Sequence, residues 1–435
     1  MKILDKDFIS TLLNNFSKVC TGPILLIFIP LYLTSTEQGY WYTFTSIAAL
    51  SVFADLGFST IVLQFAAHEF AYCKFDEEGE LVGDSYHIWK LASFFRFTIK
   101  WLLKVISIVF PLIIIGGYIF LNQKDVNIAW QLPWLIYAFS SAFVFFNSSI
   151  LSFFEGCDSV AITQKCRMYI TLITSVTTLT VLYLELGLYA LAFSLLLSAL
   201  VGFCLMYMYF GKTAVFLWNH VKEKPYQWQG EFNSLIWRYA ISWCSGYFIF
   251  QLFTPLAFQY HGAIFAGKIG ISVAMWTAGF NIANSWLTAV TPKLNMLVSE
   301  EKWDALDSIF NKNIKCSMAT ILIGGAIFFV AWFLGKDSIW LFHRILPLNS
   351  MIMLFVCWGC QIYINGLALY LRSHKKEPMM PISLFSAVYV SITTLLCALY
   401  LPANYLFLGF LSSYIYGVPV TYYLYKKQKN QHKTN

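Results

Sequence analysis

Twelve stretches of about twenty apolar residues follow one another along this chain, and that length leaves few folds open. They lie near residues 12–33, 41–65, 101–121, 130–153, 168–186, 188–210, 236–258, 270–292, 316–335, 350–371, 381–401 and 404–425. A helix rises 1.5 Å per residue, so each run crosses a hydrocarbon core of roughly 30 Å. In lipid every backbone N–H and C=O must be satisfied within the protein, so spans of this length are expected to be helices. A β-barrel would show alternating segments of roughly ten residues, and none is visible. Only 12% of the residues are charged, against about 25% in soluble domains. The expected fold class is therefore all-α, a polytopic integral membrane protein of about twelve transmembrane helices.

Lysine and arginine orient the spans. With the N-terminus in the cytoplasm, 24 of the 29 fall on that side. Lys124, Lys268, Lys336 and Arg344 fall on the other, and Lys18 lies within the first span. Both termini are thus expected in the cytoplasm. The longest loops, 66–100, 211–235 and 293–315, are on the same side. The last spaces Leu297, Trp303, Leu306, Ile309 and Phe310 as an amphipathic helix would, and is expected along the inner membrane surface. Tyr40, Trp41 and Tyr260, near span ends, fit an interfacial aromatic belt. The net charge of +7 forms no basic stripe on a soluble fold, so nucleic acid is not an expected partner. The ten cysteines make no evident outer-face pair, and no disulfide is expected. The first run is too long and too polar for a cleavable signal.

Cys20-Thr21-Gly22 followed by Pro30 has an echo in Cys244-Ser245-Gly246 followed by Pro255. Six spans in each half suit a parallel repeat, a common transporter plan. The expected organisation is an N-terminal lobe over 1–211, a cytoplasmic linker over 212–235, a C-terminal lobe over 236–425 and a basic tail over 426–435.

Charge inside a bilayer is costly, about 2.5–3.5 kcal/mol or more at its centre, so polar groups there face protein or water. The first span carries Asn14 and Lys18 one turn apart, and the second carries Asp55 and Ser59. Arg238 opens the seventh, ahead of Ser242 and Ser245. Thr277, Asn281, Asn284 and Thr288 form a stripe on the eighth, which ends at Pro292 and Lys293. Gln361 and Asn365 lie on the tenth, with Arg372 at its inner end. One reading is a polar, partly cationic cavity for an anionic head group. The other is inter-helix hydrogen bonding with snorkelling of Lys18, Arg238, Lys293 and Arg372. Glu155 and Asp158, near Lys165 and Arg167, suit a solvated inner loop, with a gate at the cytoplasmic mouth as the alternative. His68 and Glu69 end the second span at the inner face, where a proton relay is one reading.

Absent motifs narrow the class. There is no P-loop and no H-E-x-x-H or His/Cys ligand cluster, so no metal or cofactor is expected. Cys357 and Cys360 make a lone C-x-x-C inside an apolar helix, which is weak evidence for a site. The outer loops are short, whereas a membrane glycosyltransferase or polymerase needs a sizeable one. Transport without catalytic residues is the expected class.

Three pieces carry a family likeness: Pro30-Leu31-Tyr32-Leu33-Thr34, Glu37-Gln38-Gly39-Tyr40-Trp41 and Asp55-Leu56-Gly57-Phe58. Together they resemble the Wzx-type O-antigen flippases, of the multidrug/oligosaccharidyl-lipid/polysaccharide exporter superfamily. The motif resemblance covers roughly residues 10–70, and the layout extends it over the chain. It implies two six-helix lobes around a central cavity, working by alternating access on a proton or sodium gradient. It implies a bacterial inner-membrane carrier of undecaprenyl-diphosphate-linked oligosaccharide, with membrane lipid, a polysaccharide polymerase and a chain-length regulator as partners. Placement of charge along the spans, and not the motif, nominates Lys18, Arg238, Asn281, Asn284, Lys293 and Arg372 for substrate and Asp55 for ion coupling. The alternatives are a multidrug exporter of the same fold and a polysaccharide-assembly enzyme such as an O-antigen polymerase.

Overall fold

The computed structural model describes residues 2–76, 81–123, 128–221, 225–374 and 379–431. All twelve apolar runs fall on helix. The first is α1 (Lys2–Tyr32), which continues through Pro23 and Pro30. The second is assembled from α2 (Ser35–Ala48), a 3-10 turn, α3 (Val52–Asp55) and α4 (Phe58–Phe70). Then come α5 (Ser85–Leu121), α6 (Gln131–Gly156), α7 (Val160–Tyr183) and α8 (Tyr189–Asn219). The seventh run is broken into α9 (Gln229–Phe250) and α10 (Phe253–His261). The rest are α11 (Ala263–Ser299), α12 (Trp303–Gly335), α13 (Leu348–Ser373), α14 (Met380–Tyr400) and α15 (Leu408–Gln431). Among the described residues nine helices are by themselves long and apolar enough to span a membrane, ten with the bent α2–α4 series. Two expected spans lie outside that set, the broken seventh (α9–α10) and the twelfth, α15, where five tyrosines between Leu408 and Tyr425 lower the hydropathy.

The break in the second span has a local cause. Leu56 and Gly57 both take the left-handed conformation, with φ of 47° and 77°. Asp55 then accepts the Ser59 N–H at 3.1 Å and the Ser59 hydroxyl at 2.6 Å, satisfying a donor that the start of α4 leaves over. The Asp55-Leu56-Gly57-Phe58 motif is therefore a helix break built into a span bent by 41°. Gly57→Ala should lower stability by about 1 kcal/mol, because a Cβ disfavours that backbone region. Thermal unfolding in detergent measures it, and an unchanged midpoint would remove the account.

The loop 66–100 is largely structured. It contains the end of α4, an antiparallel hairpin pairing Cys73–Phe75 with Leu81–Gly83, and the first turns of α5. Asp84 caps α5 by accepting the His87 N–H. At the opposite ends of α7 and α8, Glu185 and Gly187 are left-handed, which separates the fifth and sixth runs.

One expectation is overturned. Residues 293–315 are not one helix along the membrane surface: α11 ends at Ser299, Glu301 is left-handed and α12 starts at Trp303. Leu297, Leu306 and Phe310 are buried against Leu287, Leu367, Tyr370 and Tyr425. The periodicity was that of a hairpin packed on protein. Tyr40 and Trp41 are likewise buried rather than lipid-facing, with Tyr40 edge-on to Phe258 at 5.0 Å, whereas Tyr260 is exposed.

The chain divides into two compact units: Met1–Phe28 with Phe44–Cys244, and Ile29–Thr43 with Ser245–Asn435. In the first, α4, α5, α6 and α8 enclose Phe58, Phe94, Phe95, Phe153, Phe154 and Phe210. In the second, the turn between α1 and α2 is bolted to later elements. Thr34 and Glu37 cap α2 reciprocally, each side chain accepting the other's N–H. Gln38 donates to the Gly267 carbonyl at 2.9 Å, and Arg344 donates to the Ser35 hydroxyl at 2.7 Å and the Leu33 carbonyl at 3.0 Å. Gly39 packs directly on the Ala263 carbonyl, and Gly270 on the Tyr42 side chain. Small residues allow such backbone approach between membrane helices.

Candidate functional site

In the first unit the polar groups of α1, α6 and α7 converge. Asn14 of α1 is 2% exposed and must find partners within the protein. Its Nδ2 donates to Gln164 Oε1 at 2.7 Å. Gln164 Nε2 donates in turn to Glu155 Oε1 at 3.0 Å. The other oxygen of Glu155 pairs with Arg167 Nη2 at 3.0 Å, and the same Nη2 donates to the Ser152 hydroxyl at 3.2 Å. The α6–α7 turn makes this possible. It includes Asp158 in the left-handed region and folds α7 back so that residues twelve apart in sequence meet. Asp7 of α1 fixes the third helix, accepting the Ala161 N–H at the start of α7.

Lys18 is exposed one turn beyond Asn14, and the charges acting on it are Arg167 and Glu155. The Glu155–Arg167 pair is not a solvated loop contact: the side chains are only 18% and 27% exposed. Glu155, Gln164 and Arg167 were absent from the expected site. The signal that pointed to them was Asn14, a buried amide in an apolar run.

Asp55 does not join this network, being engaged with Ser59, whose hydroxyl also meets that of Ser149 at 3.2 Å. In the second unit Asn365 Nδ2 donates to Asn284 Oδ1 at 2.7 Å, tying α13 to α11. Asn281 is exposed one turn earlier, and the hydroxyls of Thr277 and Thr288 turn back to their own helix. Gln361 accepts from the Tyr414 hydroxyl at 3.0 Å. Lys293 and Arg372 are exposed. Arg238 lies on α9, and its side chain is outside the described residues.

Two further clusters were unforeseen as such. Glu69 lies 3.6 Å from His68, whose side chain is 75% exposed. Its oxygens are taken by His87 at 2.8 Å and Lys90 at 3.1 Å. Lys90 also lies 4.6 Å from the Tyr226 ring centroid and 5.5 Å from that of Trp228, a cation–π seat for the linker. In the second unit a cavity of about 530 Å³ is lined by Glu301, Trp303, Asp307, Tyr370 and Lys429 among others. Asp307 there accepts from the Tyr370 hydroxyl at 3.1 Å and pairs with Lys429 at 2.8 Å. That hydrogen bond holds the Lys429 ammonium above its ordinary pKa. Among the described residues no group of histidine, cysteine, aspartate and glutamate has the makings of a metal site.

No protein-family model matches the chain, and no curated protein does. Solved structures do match in fold. An inward-facing multidrug resistance MATE family transporter of the MOP superfamily superposes with a TM-score of 0.63 at 12% identity, over 96% of this chain and 99% of that one. The lipid II flippase MurJ, in an inward closed conformation, gives 0.62 at 13% identity, over 98% and 87%. A MOP superfamily transporter from Pyrococcus furiosus Vc1, whose reverse-polarity pocket suggests a different function, gives 0.57 at 12%, over 99% and 96%. The chain is a polytopic, all-α membrane protein with the fold of the MOP-superfamily transporters. These neighbours are transporters and flippases, not enzymes.

Proposed function

We propose that this chain is a flippase that carries undecaprenyl-diphosphate-linked oligosaccharide, an O-antigen-type repeat unit, from the cytoplasmic to the periplasmic leaflet by ion-driven alternating access. The observation that supports it most is the pair of cations in the first-unit network: Lys18 and Arg167 lie about the Glu155 carboxylate, while the Asp7 carboxylate is engaged by the α7 N-terminus. An ammonium and a guanidinium together suit a diphosphate, which such groups bind with charge-assisted hydrogen bonds. The likeness to a lipid II flippase supports the same class of cargo. The likeness to multidrug transporters is as strong and supports export of drugs as the second reading. Cationic drugs call for the opposite charge balance.

In this reading Lys18, Arg238, Asn281, Asn284, Lys293 and Arg372 meet the head group, and Asp55 couples the ion. The moving parts are the two compact units, so that Ile29–Thr43 travels with Ser245–Asn435 and not with the rest of the expected 1–211 lobe. The lysine and arginine bias supports placement in the bacterial inner membrane with both termini in the cytoplasm. Deleting the gene in its host should abolish surface polysaccharide, with lipid-linked repeats accumulating on the cytoplasmic side. Single repeats still reaching the surface would indicate a polymerase, and altered drug sensitivity alone an exporter. Arg238→Gln or Lys293→Gln should reduce complementation at matched expression, while Lys124→Gln, on the outer side, should not. Equal activity in all three variants would discard the cationic assignment.

A further inference from the structure

We propose that Arg167 is a phosphate-binding side chain held in reserve by Glu155, released to a diphosphate that enters the first unit beside Lys18. The inference rests on the flippase reading only for the identity of the molecule that bears the diphosphate.

The bonding of the pair is unequal. Glu155 uses both oxygens, one for Gln164 and one for Arg167. Gln164 is itself held by Asn14, so the carboxylate keeps a partner when the arginine leaves. Arg167 places both of its hydrogen bonds on Nη2, to Glu155 and Ser152, and its Nε is buried with no partner. A guanidinium normally offers a fork of donors suited to two oxygens at once. Here the fork is half used, an incomplete arrangement for a group taken out of water. A phosphate has the oxygens to complete it, and the exposed Lys18 ammonium supplies a second cation. The neighbouring carboxylate of Asp7 is committed to the α7 N-terminus and does not compete. Glu155 is then the competitor that the ligand displaces. Without it Arg167 would lose its ion-pair partner.

The test is equilibrium binding to the purified full-length chain in phosphatidylcholine nanodiscs, with inorganic diphosphate and farnesyl diphosphate as probes. The wild type should bind both. Glu155→Gln should bind at least fivefold more tightly, because the competing charge is gone while the Gln164 contact is kept. Arg167→Gln should bind at least tenfold more weakly, and Arg167→Lys should recover only part of that loss. Arg167→Gln leaves Glu155 charged and half-buried, so the double variant Glu155→Gln/Arg167→Gln, neutral at both positions, guards against loss of fold. It should match the weak binding of Arg167→Gln.

No binding by the wild type, unchanged binding in Arg167→Gln, or weaker binding in Glu155→Gln would overturn the proposal. Complementation of the deletion strain is a separate readout. Diphosphate binding in this pattern without restored polysaccharide keeps the arginine and removes the flippase reading. Restored polysaccharide with Arg167-independent binding does the reverse.

Discussion

Glu69→Ala should destabilise the first unit by about 3–5 kcal/mol, the cost of removing one partner from a buried ion pair. The carboxylate is 3% exposed and Lys90 is 15% exposed, so the abandoned ammonium has little access to water. The loss extends to the linker. Lys90 seats Tyr226 and Trp228, and Trp228 is buried against Phe65 and Phe94. Ser93 also accepts the Tyr226 N–H, so residues near 226–228 are held by Lys90 and α5. Thermal unfolding of the detergent-solubilised protein should show a midpoint well below the parent's, with earlier proteolysis between residues 220 and 229. Lys90→Met should lose a comparable amount, since it leaves the more deeply buried Glu69 carboxylate without its lysine and empties the seat of Tyr226 and Trp228. A Glu69→Ala midpoint within error of the parent would show that the pair contributes nothing to stability.

Gly39→Ala should cost about 3 kcal/mol, the upper part of the usual overpacking range. The added Cβ meets the Ala263 carbonyl carbon and oxygen, and backbone cannot rotate aside as a side chain can. Gly267 stands on the same contact, where an added Cβ would lie 2.9 Å from the Gly39 nitrogen. Gly22→Ala on α1 is the matched control. Nothing lies within 4 Å of its added Cβ, and alanine in a helix interior should stabilise by about 0.5–1 kcal/mol. Comparable yield and melting temperature in the two variants would exclude close packing as the reason for the glycine.

The helices were legible because run length and composition answer to the bilayer alone. Where they bend was not. Asp55-Leu56-Gly57 reads in sequence like any apolar run with one carboxylate, and only two successive left-handed residues turn it into a break. The apolar stripe through Leu297, Leu306 and Phe310 was visible, but its periodicity is the same whether it faces a membrane surface or a protein core. The candidate site was legible in part. Asn14 and Lys18 stood out as polar residues in an apolar run. Glu155 and Arg167 looked like loop charges, because their pairing depends on the fold of the α6–α7 hairpin. Burial of Tyr40 and Trp41 was hidden for a similar reason: aromatic residues at a span end suit lipid and protein equally.

The bolted turn between α1 and α2 bears on how this polypeptide can be divided. Fifteen residues near its beginning, Ile29–Thr43, belong to the unit otherwise built from its last 191. A gene split in the linker would not encode two self-sufficient halves. The C-terminal fragment would lack Leu33 and Ser35, which accept from Arg344, and Gln38 and Gly39, which cover the Ala263–Gly270 face. Fragment complementation, tandem duplication or grafting of one half onto a relative would each have to carry that early segment along. The inheritable module is interleaved, not consecutive.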